Sequence, residues 1–247
     1  MVKPELENRP IRPAYVAALE ETLLALSCPG TWLDSETRIA VAEVARNALI
    51  DEPPLAPWEE PSRTRGKLEA LTQLSVPTVA VDAAYRIARH PSTLTKGWYA
   101  QITSREANFS DAHYVELVTI VARVAAADRF CRAAGLSLFP FPKPGEGAPS
   151  GERPACAKLD RHWVPTIHPK DAADEFAWLY PGKGAPNVLR ALTLVPDAYA
   201  ELRRFQSAGY VASEFVLDVS KNEDRPLTRA QIELVAASTS AHNECFY

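Results

Sequence analysis

FSDAHYVELVTIVARVAAADRFC, residues 109–131, lies inside the longest proline-free run of the chain, Ser92 to Phe139. Its apolar residues recur at helical spacing, with no strand-like alternation, which predicts a helix over 111–135. Ser110 stands at a capping position, and Phe109 and Tyr114 have hydrophobic-staple spacing. Working outward, the 21 prolines cut the chain into further helical segments. These are predicted at 14–27, 35–50, 65–74, 78–89, 93–103, 171–179, 187–194, 197–216 and 228–242. No stretch reads as a strand, so the fold class is all-α.

The same entry recurs twice more. LDSETRIAVAEVARNALID spans 33–51 and LTRAQIELVAASTSAHNEC spans 227–245. Each copy opens on an apolar residue and a capping residue: Leu33-Asp34, Phe109-Ser110 and Leu227-Thr228. Thr228 and Gln231 have capping-box spacing, and Leu227 and Ile232 have staple spacing. Glu116-Leu117-Val118 matches Glu233-Leu234-Val235. The pattern reads as an internal repeat. Between the second and third copies, FPFPKPGEGAPSGERP (139–154) has a linker composition. It divides the chain into 1–138 and 155–247.

Bulk numbers narrow the function. The 247 residues are 47% apolar and 23% charged, with net charge −4, ordinary for a soluble globular protein. Lys and Arg are scattered, which argues against a nucleic-acid surface. No apolar run approaches the roughly 20 residues of a membrane helix. The opening MVKPELENRPIRP has no secretory h-region, so the cytoplasm is the expected location. The four cysteines, at 28, 131, 156 and 245, form no CxxC and no zinc-ligand spacing. No flavin, nicotinamide or haem motif is present, and no cofactor or metal is expected.

The candidate chemistry sits in the last copy. Glu233 and Cys245 are twelve residues apart, about 18 Å along a straight helix, too far for direct proton transfer. A bend at Asn243 would bring them closer and leave Cys245 at the start of a second helix, where the dipole favours thiolate. His242 is a nearby proton acceptor. The bland alternative is an inert cysteine beside a surface charge.

LTRAQIELVAASTSAHNECFY resembles the core of the AhpD-like alkylhydroperoxidase and carboxymuconolactone decarboxylase superfamily. That core reads Glu, eleven residues, Cys, two residues, Cys, three residues, His. Glu233 and Cys245 match the first interval; the second cysteine and the histidine would fall at 248 and 252. GAPNVLRALTLVPDAYAEL (184–202) resembles the peroxidase-related branch, so the likeness covers about 160–247. VDAAYRIARHPSTLTKGWY (81–99) with SDAHYVELV resembles the companion half of two-part members. There the cysteine positions hold Asp128 and Cys131, and the histidine position holds Gly135. In the first copy Asp51 and Pro54 stand at the cysteine positions. Both earlier copies are therefore expected to be scaffold.

The resemblance implies a helical bundle of degenerate repeats ending in an incomplete redox domain. It implies a thiol- or selenol-dependent peroxidase acting on hydroperoxides, reduced by a small thiol or partner protein, and commonly a homo-oligomer. Glu233 would be the proton relay, Cys245 the resolving thiol and His242 a supporting group. Three accounts of the stop before 248 stay open: a cut coding segment, a frameshift, or a UGA codon for selenocysteine. Each leaves apolar surface bare near the C-terminus. A carboxymuconolactone-decarboxylase-like enzyme, and a non-catalytic helical assembly or binding module, are the alternatives. No membrane or nucleic-acid partner is expected.

Overall fold

The structure is a computed structural model that describes residues 11–63, 76–172, 174–180, 186–212, 215, 218–221, 225–242 and 245. Eight α-helices follow one another among them: α1 (Pro13–Leu24), α2 (Ser35–Ala48), α3 (Thr78–Arg89), α4 (Lys96–Ile102), α5 (Asp111–Ala133), α6 (Asn187–Arg190), α7 (Pro196–Gly209) and α8 (Arg229–His242). The described residues contain no strand, only an isolated antiparallel bridge between Lys158 and Thr166. The fold is all-α. The helix predicted at 65–74 lies outside the described residues.

The helix starts follow the caps. Asp34 accepts the Thr37 N–H at 2.7 Å. Ser110 and His113 form a reciprocal capping box at α5. Ahead of α8, Gln231 Oε1 accepts the Thr228 N–H at 2.8 Å, and Thr228 Oγ1 accepts the Gln231 N–H at 3.3 Å. Each satisfies backbone donors that a helix start leaves open. Several predicted segments are shorter or tighter than expected: 93–103 is α-helical only over Lys96–Ile102, and 14–27 tightens to a 3-10 turn over Ala25–Ser27. Residues 174–179 wind as a 3-10 helix, and 187–194 holds one α turn. Helix α7 stops at Gly209 rather than 216: Tyr210 leaves the helical conformation, and Gly209, against which the Tyr15 ring packs, is a weak helix former.

Helix α2 forms the centre of the core. Ala40, Val41, Ala42, Val44, Ala45 and Ala48 are all buried, and their small size lets α3 and α5 pack closely against it. Helix α5, about 35 Å long by its 23 residues, also packs on α3 and α7. Helix α7 closes over α1, and Phe205 joins the main core, stacked on Tyr15 at 5.7 Å between centroids. Two smaller clusters, around Leu194–Val195 and around Ile167, Leu179 and Tyr199, hold the segment before α7.

Residues 139–154 carry no helix or strand and run as a strap over the turn between α1 and α2. Phe139 enters the core, and the Arg46 guanidinium lies 3.7 Å above the Phe141 ring. Gly145 N–H donates to Ser27 O at 2.8 Å, Ser35 Oγ donates to Gly145 O at 2.5 Å, and Gly151 N–H donates to Thr31 O at 2.7 Å. Gly151 adopts φ 68°, open to glycine without strain.

Candidate functional site

Helix α8 carries the residues that the sequence singles out. One turn past its start, Glu233 receives two neighbours. Tyr210 Oη donates to its carboxylate at 2.7 and 2.8 Å, and Arg229 Nε donates at 2.5 Å from one turn earlier. The Tyr210 bond first, then Arg229, hold the Glu233 carboxyl below the usual carboxylate range. Burial, and then the neighbouring carboxylate, push the Tyr210 hydroxyl up. Arg229 is buried and also donates to Phe215 O at 2.9 Å, which pins the start of α8. Glu233 is thus an oriented, partly exposed anion.

At the other end of α8, His242 is exposed in the last turn. Cys245 is an exposed free thiol beyond the helix. Its N–H donates to Ser240 O at 2.9 Å, a six-residue closure that commonly ends helices. The bend expected at Asn243 lies outside the described residues. Cys245 itself is not helical. Among the described residues, no hydrogen bond or ion pair joins Glu233, His242 and Cys245 to one another: Glu233 lies near the start of α8, His242 ends it and Cys245 lies beyond it.

The earlier copies are occupied by structural contacts. Asp128, at the first cysteine position of the middle copy, makes a two-pronged ion pair with Arg46, both contacts 2.8 Å. Cys131, at the second, is buried. Gly135, at the histidine position, takes φ 64° to end α5, and the Leu136 N–H closes on Cys131 O at 2.7 Å. In the first copy Asp51 accepts the Tyr85 hydroxyl at 2.6 Å.

The sequence reading passed over a second constellation. Arg38 of α2, Glu116 and Arg123 of α5, and Glu201 of α7 meet in the interior. Arg38 Nη2 donates to both Glu201 oxygens at 3.1 and 2.7 Å, while its Nη1 donates to Cys28 O at 3.0 Å. Arg123 Nη1 lies 2.6 Å from Glu201 Oε2, and its Nε donates to Thr119 O at 3.2 Å. Burial pushes Arg123 below its ordinary value, with Glu201 opposing. Glu116, 1% exposed, is pushed up to about 6 by burial, against the pull of Arg38 and of the Trp32 N–H. One signal was legible. Arg123 is the single charge within LVTIVARVAAA, 117–127, and a charge in so apolar a run needs a buried partner.

Among the described residues no group of three His, Cys, Asp or Glu side chains is placed to hold a metal ion. No described helix is long and apolar enough to cross a membrane. Comparison with protein-family models, curated proteins and solved structures gives no match.

Proposed function

We propose that this chain supplies the helical scaffold and the resolving thiol of a thiol- or selenol-dependent hydroperoxide reductase. Glu233 is the proton relay, Cys245 the resolving thiol, and His242 a supporting acceptor. The observation that carries this reading is the anchored carboxylate: Tyr210 and Arg229 keep Glu233 ionised and oriented at one end of the helix that leads to an exposed free thiol. An ionised carboxylate can accept a proton, as a relay must.

The chemistry balances as follows. A thiolate or selenolate attacks the hydroperoxide, breaks its O–O bond and releases an alcohol, leaving a sulfenic or selenenic acid. The Cys245 sulfur attacks that group and expels water, forming an S–S or S–Se bond. A small thiol or a partner dithiol then reduces the bond. Glu233 takes the proton that leaves the thiol, in a conformation that brings the two ends of the relay together.

Cys28 is an internal reference, because it is also an exposed free thiol. The test incubates the protein with oxidised glutathione, whose disulfide sulfur a resolving thiol attacks as it would a sulfenic acid, and maps the mixed disulfides by mass spectrometry. On this reading Cys245 reacts more than about tenfold faster than Cys28, and Glu233→Gln removes the difference. Equal rates at the two cysteines, unaffected by Glu233→Gln, overturn it.

A second reading has its own observation. Leu234 and Val235 are 67% and 60% exposed. A groove of about 490 Å3 runs between α8, the end of α7 and the start of α1, lined by Ile11, Tyr15, Phe130, Tyr210, Leu227 and Ile232. Such apolar surface suits a helical assembly module. Sedimentation of the Leu234→Asp variant separates the two: a change in assembly state with unchanged thiol reactivity favours the module.

A further inference from the structure

Beneath the turn of residues 28–34 sits a carboxyl group with almost no access to water. Glu116 Oε2 accepts the Trp32 N–H at 2.7 Å. Its Oε1 meets no donor at full hydrogen-bond geometry, although the Leu33 N–H of the same turn also draws on the carboxyl. The nearest cationic atom to it, Arg38 Nε, stands 3.8 Å away and also lacks a hydrogen-bond partner. Gly30 lies directly against the group: a β-carbon there would be 1.8 Å from Oε1. The carboxyl stays dry only while the turn is seated over it.

The charged groups facing this carboxyl come from three helices. Helix α2 supplies Arg38 and α5 supplies Arg123. Helix α7 supplies Glu201, whose carboxylate both arginines already share. Arg38 therefore makes its close contacts with Glu201, and Glu116 receives the more distant one. His113 of α5 faces the turn edge-on against Trp32, 5.4 Å between ring centroids, next to the Asp111–Arg153 ion pair. Asp197 of α7 touches Thr31 at 3.4 Å.

We propose that the 28–34 turn is a pH-sensitive latch: seating over Glu116 takes up a proton, so acid closes the turn and neutral pH favours its release. The direction follows from linkage. A carboxyl whose pKa is higher when covered holds its proton more tightly when covered. The seated state is therefore favoured fully below the ordinary value, and that advantage is lost as pH rises through about 6. His113 works the other way, because burial lowers its pKa and protonation opposes seating. The turn also anchors the 139–154 strap at Thr31 and touches the first turn of α7 at Asp197, so its release loosens both. This inference is independent of the peroxidase reading.

The test is amide hydrogen exchange over 27–35 at pH 5.0 and pH 7.5, corrected for the intrinsic exchange rate. The turn opens more at pH 7.5 than at pH 5.0, by up to about eightfold if opening restores the ordinary carboxyl pKa. Glu116→Gln stays seated at both pH values, and His113→Asn keeps or enlarges the dependence. Opening that does not change with pH, or that changes equally in Glu116→Gln, overturns the latch. Should Glu116→Gln fail to fold, the Glu116 carboxyl carbon of the unaltered protein is titrated by NMR beside the exchange experiment. A shared midpoint supports the latch, and separate midpoints overturn it.

Discussion

The Glu116 carboxylate occupies the space that a side chain on residue 30 would need, with Oε1 only 1.8 Å from where a β-carbon on Gly30 would stand. A turn in the 27–35 connection and a carboxyl in the middle of α5 thus depend on each other. Any residue larger than glycine at 30 must expel a group held by the Trp32 N–H and attracted by Arg38.

Gly30→Ala is expected to destabilise the fold by about 2–3 kcal/mol, the cost of breaking a buried charge and hydrogen-bond arrangement. In a Glu116→Ala background the same change should cost only about 0.5 kcal/mol, because nothing remains to be expelled. Urea unfolding of the four proteins in the cycle measures the coupling.

Glu201 neutralises two buried arginines from α7. Glu201→Ala leaves both guanidinium groups without their closest anion and should cost about 3–5 kcal/mol. Arg123→Met should cost less, because it keeps the volume and leaves the Arg38–Glu201 pair intact. Denaturant midpoints at pH 7 rank the two, and equal costs would show that Arg123 alone carries the cluster.

Tyr210→Phe removes the first cause of the low Glu233 pKa. Glu233 should then titrate closer to its ordinary value, as NMR of the side-chain carboxyl can show. A carboxyl depressed in the folded state adds stability above its unfolded pKa, and loses it as pH falls through the lower folded value. Stability lost on acidification in that window should therefore shrink in Tyr210→Phe. On the peroxidase reading, the variant also slows the attack of Cys245 on oxidised glutathione.

The matched triplets should respond in opposite ways. Leu117 is fully buried and Leu234 is exposed. Leu117→Ala should cost about 2–5 kcal/mol, while Leu234→Ala should stay within about 0.5 kcal/mol. Amides of α8, of which only Arg229 is buried, should exchange faster than those of α5. Hydrogen exchange mapped by fragment reads both helices at once.

Much of the helical layout was legible before any coordinates. Asp34, Ser110 and Thr228 cap the helices they precede, because capping is a local transaction between a side chain and N–H groups within the next few residues. Proline and glycine punctuation is local in the same way. The end of α7 was missed because Gly209 was read through as helix, whereas Tyr210 turns out of it to reach Glu233 on α8. The candidate site was legible as residue types only. Tyr210, the strongest partner of Glu233, belongs to no motif that the spacing displays.

By itself, then, the sequence determined where helices start, the all-α class, and the repeated entry with its shared Glu-Leu-Val. Only the tertiary structure decided that Glu116 and Leu117 are buried, with Val118 half-buried, while the matching 233–235 are largely surface. It alone brought Arg38, Glu116, Arg123 and Glu201 together from three helices. The physical reason is range. Caps and periodicity act over a turn or two of helix, whereas burial and charge pairing depend on which distant element arrives to exclude water.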